Sequence, residues 1–411
     1  MVQFCYYNKE KHFESTKRVW LEVGWYSPGE NFEQLMEVRA LRGAAHVAEI
    51  NGDVECMVLT APGTIRYLDE ELPFSGVMAV VTSRIARKQG IAGRLAARAI
   101  AIDAAEGALV TGLGIFDQGF YDLFGFGTGG YEHFVSFDPA QLDIPVKARI
   151  PRRITEEHWK EAHASRLARR RGHGSVSFDR PEVTRSGLMW KSEQFALGYF
   201  DGPNGELTHH IVGEATGERG PYKIFWLSYQ THAQFLELMA LLHNLGDQVR
   251  LMTMMEPPGI QLQDLVRQPF RWRQLTEHSP YQNQIRSVAE WQMRILDLEE
   301  CLERTHLAGE PVRFNLQLTD PIDRFLEDDA PWKGIDGEYV VALGPSSGAE
   351  RGVDPTLPTL SASVGAFTRL WLGVRPATGL ATTDSLAAPD GLLARLDRCI
   401  RLPEPKPDWS F

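Results

Sequence analysis

A short basic turn, Arg87-Lys88-Gln89-Gly90-Ile91-Ala92, joins an apolar run at residues 77–81 to an Ala-rich stretch over residues 91–105. The run reads as a buried strand, and the stretch as a helix whose apolar residues recur at helical spacing. A strand that passes to a helix through such a turn leaves few folds open. Gly90 has no Cβ, so the backbone there can come close to a ligand. The helix beyond it aims unpaired N–H groups and the positive end of its dipole at whatever binds. Phosphate suits that environment. A lone R-x-x-G-x-A turn also occurs where nothing binds, so the neighbouring elements decide the reading.

Residues 109–115 read as the next strand, which leads through Phe116 and Asp117 into a short helix around Tyr121, closed by Gly125. Phe120, Tyr121, Phe124 and Phe126 make this stretch aromatic. Upstream, residues 2–7 read as a strand, and 12–25 and 32–41 as helices. Residues 45–60 read as a hairpin turning at Asn51-Gly52-Asp53, a strong turn signal. This order, with the glycine turn and the F-Y-x-x-F-G-F run, resembles the Gcn5-related N-acetyltransferase (GNAT) superfamily. The resemblance implies an α/β (α+β) fold with a splayed strand after the helix.

With 411 residues the chain should form two or three domains. Its 43% hydrophobic and 24% charged residues fit a globular protein. No apolar stretch nears the roughly 20 residues of a membrane span, and residues 1–10 carry no secretory pattern. Cys5, Cys56, Cys301 and Cys399 lie far apart, which reads as reduced thiols of a cytoplasmic protein. Neither a metal site nor a disulfide framework is expected. The net charge of −11 argues against a nucleic-acid partner and suits a cationic substrate. The arginine-rich patch at 166–171 reads as a solvated helix end, with a phosphate contact as the lesser alternative.

Turn formers at 138–145 mark a first boundary. Beyond it, a helix at 155–169, strands at 193–201, 209–216 and 223–229, a helix at 231–244 and a strand at 249–254 repeat the alternation without a phosphate loop. Residues 217–220 read as a hairpin turn. From Trp291 the pattern changes. Helices are expected at 297–304, 364–373 and 391–400, strands at 312–319, 338–343 and 359–363, and a Gly/Ser/Pro-rich loop at 345–358. The expected domains are 1–142, 143–290 and 291–411.

All three parts together resemble the enhanced-intracellular-survival (Eis) type of bacterial N-acetyltransferase. The matching stretches are residues 88–93, the Tyr121 run, 291–297, 360–379 and the ending Trp409-Ser410-Phe411. Arg-Lys-Gln-Gly replaces the family's common arginine run, and the 345–358 loop is expanded. The resemblance implies a catalytic GNAT domain, a second GNAT-like domain without catalysis and a C-terminal sterol-carrier-protein-like domain. It also implies acetyl-CoA as co-substrate, no metal, and a homo-oligomer, a hexamer. The acceptor would be an amine, either an aminoglycoside-like polyamine or a lysine side chain.

Acetyl transfer to an amine requires that the pyrophosphate be held, the thioester carbonyl polarised, the amine deprotonated and the leaving thiolate protonated. Backbone N–H groups across Lys88, Gln89, Gly90, Ile91, Ala92 and Gly93 suit the first task. The resemblance lays the pantetheine arm beside Val80, Val81 and Thr82 like an added strand, whose backbone N–H polarises the carbonyl. It sets Phe116 and Asp117 on the other side. Tyr121 becomes the general acid, because a phenol with a pKa of about 10 is protonated at neutral pH. From the residues alone, Tyr121 reads as a packed core tyrosine.

No side-chain base stands out, since His46 and His133 read as structural or surface histidines. The resemblance supplies the α-carboxylate of Phe411, with an intrinsic pKa of about 3.5. Pro403, Pro405 and Pro407 would stiffen the tail that delivers it, and Trp409 and Phe411 would anchor it. Glu22, Trp25 and Glu33, in the first two helices, fall where an acceptor amine is expected. No nucleophilic Cys or Ser accompanies Tyr121, so direct transfer in a ternary complex is expected. A competing reading is a small-ligand or lipid-binding protein with a vestigial acetyltransferase domain; the intact loop and Tyr121 count against it. A third is an enzyme that takes longer acyl chains.

Overall fold

The structure, a computed structural model, describes residues 2–27, 32–117, 119–188 and 193–410. The chain divides into two compact units, one of Met1–Gly130, His173–Arg180 and Glu290–Phe411, the other of Tyr131–Gly172 and Pro181–Ala289.

The first unit opens with β1 (Val2–Tyr6), α1 (Lys9–Glu22), α2 (Phe32–Ala40), β2 (Ala44–Ile50), β3 (Asp53–Tyr67), β4 (Glu70–Thr82), α3 (Ile91–Ala105) and β5 (Val110–Gly114). Asn51 and Gly52 take φ of 56° and 91° between β2 and β3, as a tight hairpin turn demands. β1 to β4 are antiparallel neighbours, and β5 runs parallel to β4. Parallel neighbours need a crossover, which α3 provides. Its Leu95, Ala96, Ala99 and Ile100 are buried with Val58, Val77 and Leu113 of the sheet.

Two features interrupt the regular pairing. Leu59 faces Ala79 but Thr60 faces Val77, so Met78 is an extra residue, a β-bulge. The pairing of β4 with β5 runs only from Phe74↔Val110 to Val77↔Leu113. Beyond Val77, no described strand pairs that edge of β4.

The strand pairing departs from the expected domain divisions. Trp291–Ile295, expected to open the third domain, pairs antiparallel with β5 and with Gly127–Thr128, completing the first sheet. All five of its residues are buried, so it lacks the alternation that marks one exposed face. Glu132–Phe137, expected in the first domain, instead lies between Met252–Met255 and Gln284–Val288 in the second unit. Val176–Phe178, expected in the second domain, pairs with β3 at residues 63–65. These pairings join residues remote in sequence, which local periodicity does not register.

The second unit is a seven-stranded sheet whose central strands include Tyr222–Ser228, His209–Ala215 and Gln194–Tyr199. The helix His232–Asn244 begins at a Thr231/Gln234 capping box and buries Phe235, Leu238, Met239 and Leu242. In the first unit, a five-stranded sheet centres on Val312–Thr319, flanked by Gly337–Leu343 and Thr359–Ser363. The expected loop at 345–358 contains a further strand, Gly348–Arg351, paired with Gly337–Leu343. Its flanking turn formers hide a short hairpin strand. Among the described residues, no helix is long and apolar enough to cross a membrane.

Asp103 of α3 is buried against the bulged region, accepting from Ser75 Oγ at 2.6 Å and Thr60 Oγ1 at 3.3 Å. Burial outweighs both bonds and pushes its carboxyl up to about 6 from 3.8. A raised carboxyl binds its proton more tightly in the folded state. Its stability contribution is therefore full below the unfolded value and is lost as pH rises through about 6. Urea unfolding of Asp103→Asn should show a gain over wild type of about 3 kcal/mol at pH 8 that shrinks towards pH 4.

Candidate active site

The basic turn joins β4 to α3. Lys88 and Gly90 take φ of 63° and 72°, two left-handed residues separated by one. Such alternation turns successive N–H groups towards one point, forming an anion-sized concavity. Residues 87–90 are exposed, and no side chain caps α3. The first helical bond runs from Arg94 N–H to the Gly90 carbonyl, which leaves the amides of Ile91, Ala92 and Gly93 outside the helical ladder. Gly93 packs tightly: an added Cβ would stand 3.3 Å from both Phe124 and Phe325, so those rings would have to give.

The edge of β4 left open at 78–82 leads into this turn. Val80 and Thr82 are half-buried, whereas Val81 points into the apolar core on the α1 side. An extended ligand arm can add along such an edge as a strand does. Phe116, beyond the end of β5, is 84% exposed, and Asp117 is exposed beside it. A large bare aromatic there suits contact with a ligand.

Tyr121 starts a one-turn helix, Tyr121–Phe124, that ends at Gly125 with φ 77°. Its ring is buried edge-on to Phe120 at 5.0 Å and Phe126 at 6.1 Å. The packed aromatic cluster and the ionisable phenol are therefore the same feature. Burial, and secondarily the Asp117 charge, pushes the phenol up to about 12. Tyr121 therefore stays protonated throughout the neutral range.

The C-terminal tail is docked. Val176 N–H donates to the Pro407 carbonyl at 2.8 Å, and Lys406 N–H to the His173 carbonyl at 3.1 Å. Trp409 is buried edge-on to Phe178 at 5.7 Å. Phe178 in turn covers Gly76 of β4, two residues before the bulge, where an added Cβ would stand 2.6 Å from its ring. Trp409 thus packs on the residue that covers the strand carrying the opening. Phe411 lies outside the described residues.

The residues expected on the acceptor side are otherwise engaged. Glu22 accepts the backbone N–H of Arg84, and Glu33 pairs with Lys9 at 3.2 Å. Trp25 lies past the end of α1, edge-on to Trp20 at 5.1 Å. His46 is buried, and burial pushes its imidazole down to about 4, so it stays neutral. In the second unit, His133 Nδ1 lies 2.7 Å from Ser287 Oγ. Among the described residues, two side-chain groups have metal-like spacing, and a cationic side chain sits in each. Lys11 binds Glu49 in the Cys5/His12/Glu49 group, and Arg149 binds Asp201 and Glu237 beside His209.

Sequence reasoning missed the bulge at Met78, the Phe178 contact, and the partners of the Tyr121 turn, Gln292, Arg294 and Asp320. Gly76 inside an apolar strand was the available signal, because strand glycines often mark a close approach.

No protein-family model matches the sequence, and no curated protein matches it. Solved structures do match over the full length. A conserved Enterococcus faecalis V583 protein of unknown function, a probable N-acyltransferase, aligns with TM-score 0.77 at 17% identity over 98% of each chain. A GCN5-related N-acetyltransferase from Kribbella flavida aligns with TM-score 0.75 at 16% identity, over 100% of this chain and 98% of that one. Eis1 from Mycobacterium abscessus aligns with TM-score 0.74 at 16% identity over 100% of both chains. The chain has the fold of the GNAT acetyltransferases, and it shares that of Eis1 from end to end.

Gly76→Ala should force Phe178 aside and cost about 1–3 kcal/mol in urea unfolding. Adding Phe178→Leu should recover part of that loss. Equal stability of Gly76→Ala and wild type would remove the argument for this contact.

Proposed function

We propose that the chain is an N-acetyltransferase that moves acetyl from acetyl-CoA directly to an amine within a ternary complex. The observation that carries this reading is the open edge of β4 at 78–82 running into a left-handed, uncapped turn. A long ligand with an extended polar arm and an anionic centre matches that pair of features. Lys88, Gln89, Gly90, Ile91, Ala92 and Gly93 would hold the pyrophosphate through backbone amides. Val80, Val81 and Thr82 would hold the pantetheine arm, with Phe116 and Asp117 opposite. Acetyl-CoA supplies the thioester.

Tyr121 serves as general acid at its hydroxyl. The role needs a phenol that is protonated at neutral pH, which the buried Tyr121 is. The Phe411 carboxylate serves as general base. The buried Trp409, two residues away and packed on the residue that covers Gly76, supports that assignment. The net charge of −11 supports a cationic acceptor, of the aminoglycoside-like or lysine class. The family resemblance extends the proposal to a sterol-carrier-protein-like C-terminal part, a homohexamer and a cytoplasmic location.

Calorimetry with acetyl-CoA tests the reading first, and failure to bind would sink it in favour of a vestigial site. Tyr121→Phe should lower kcat by about 10²–10⁴-fold with the acetyl-CoA Kd unchanged. In wild type, kcat should show no loss from phenol ionisation up to about pH 10, because the group titrates near 12. One extra C-terminal glycine should abolish turnover while acetyl-CoA still binds. Full activity of that extended chain would move the base elsewhere.

A further inference from the structure

The strand Trp291–Ile295 grips the Tyr121 turn at two points. Residues two apart on a strand share a face, and Gln292 and Arg294 both reach residues 121–124. Gln292, fully buried, donates through Nε2 to Asp122 Oδ1 at 2.6 Å and to Thr128 Oγ1 at 3.2 Å. Arg294, also fully buried, donates through Nη1 to the Phe124 carbonyl. Asp320 holds the same guanidinium at 3.2 and 2.6 Å. Asp122 and Phe124 belong to the single helical turn that Tyr121 begins, so holding both holds the backbone that carries the phenol.

Gln292 shows a cost that a residue serving stability alone would not carry. Its Oε1 is buried with no hydrogen-bond partner among the described residues. Turning the amide over would set that oxygen against the Asp122 carboxylate, so the N–H side must face Asp122 and the oxygen stays unpaired. A buried unpaired acceptor lowers stability, and an apolar side chain of the same size avoids the penalty.

We infer that Gln292 and Arg294 are positioning residues that hold the Tyr121 phenol where it donates its proton, a role resting on Tyr121 as the general acid. Gln292→Met keeps the side chain's size and removes the amide. The expected result is an unchanged or higher Tm together with a kcat lowered about tenfold or more. The acetyl-CoA Kd should stay within about twofold of wild type. Turnover then falls without a loss of stability, which a merely structural role does not produce.

The decisive measurement is a double-mutant cycle with Tyr121→Phe. Once the phenol is gone, Gln292→Met should change kcat less than about twofold. Asp122→Ala deletes the same contact from an exposed residue, and it should behave alike even where Gln292→Met folds poorly. Unchanged kcat in both variants, or effects that multiply with that of Tyr121→Phe, would overturn the positioning role alone. A Tyr121→Phe protein with full kcat would remove the acid assignment and the positioning role with it.

Discussion

The buried ion pair between Arg294 and Asp320 joins three stretches far apart in sequence: the Tyr121 turn, the strand Trp291–Ile295 and residues 320–335. Both side chains are shut away from water, which carries a large desolvation penalty. The surroundings offset it by satisfying nearly every lone pair and N–H. Asp320 takes the guanidinium edge-on and also accepts from the N–H groups of Ile322 and Ile335. Arg294 adds the carbonyls of Phe124 and Ile295 and the face of Trp332 at 5.1 Å. Removing either partner would leave a buried charge uncompensated, so the three stretches hold their places together.

Around that pair the backbones come very close. Gly125 and Gly127 sit where a Cβ would collide with Val364 and with the Gly365 carbonyl. The N-terminus of the helix Val364–Trp371 therefore presses directly on the segment after the Tyr121 turn. Thr368 of this helix also accepts the N–H of Ile295 at 3.1 Å. The C-terminal part of the chain thus packs against the segment that carries Tyr121, partly through a strand inserted into the first sheet.

The opening itself comes from a defect in regular pairing. A bulge at Met78 twists β4 just where its ladder with β5 stops, leaving an edge that a regular sheet would have paired. Exposed edges invite aggregation, and here the edge runs into the exposed, left-handed turn at Lys88 and Gly90. On the neighbouring strand, Val176–Phe178 carries the tail and lays Phe178 over Gly76.

Much of this was legible in the residues. The Asn51-Gly52 turn, the helix Ile91–Ala105 and the strands Val312–Thr319 and Thr359–Ser363 fall where turn chemistry and periodicity put them, because those signals act within a few residues. The Gly90 turn and the aromatic run around Tyr121 were likewise visible, since each depends on its own backbone and side chains. Tertiary structure alone decided the rest. Which sheet the fully buried Trp291–Ile295 strand joins, where β4 bulges, how the tail docks on Phe178, and that Glu22 and Glu33 are engaged by Arg84 and Lys9 all depend on partners well outside the local pattern. A local pattern records which faces are apolar; it does not record what meets them.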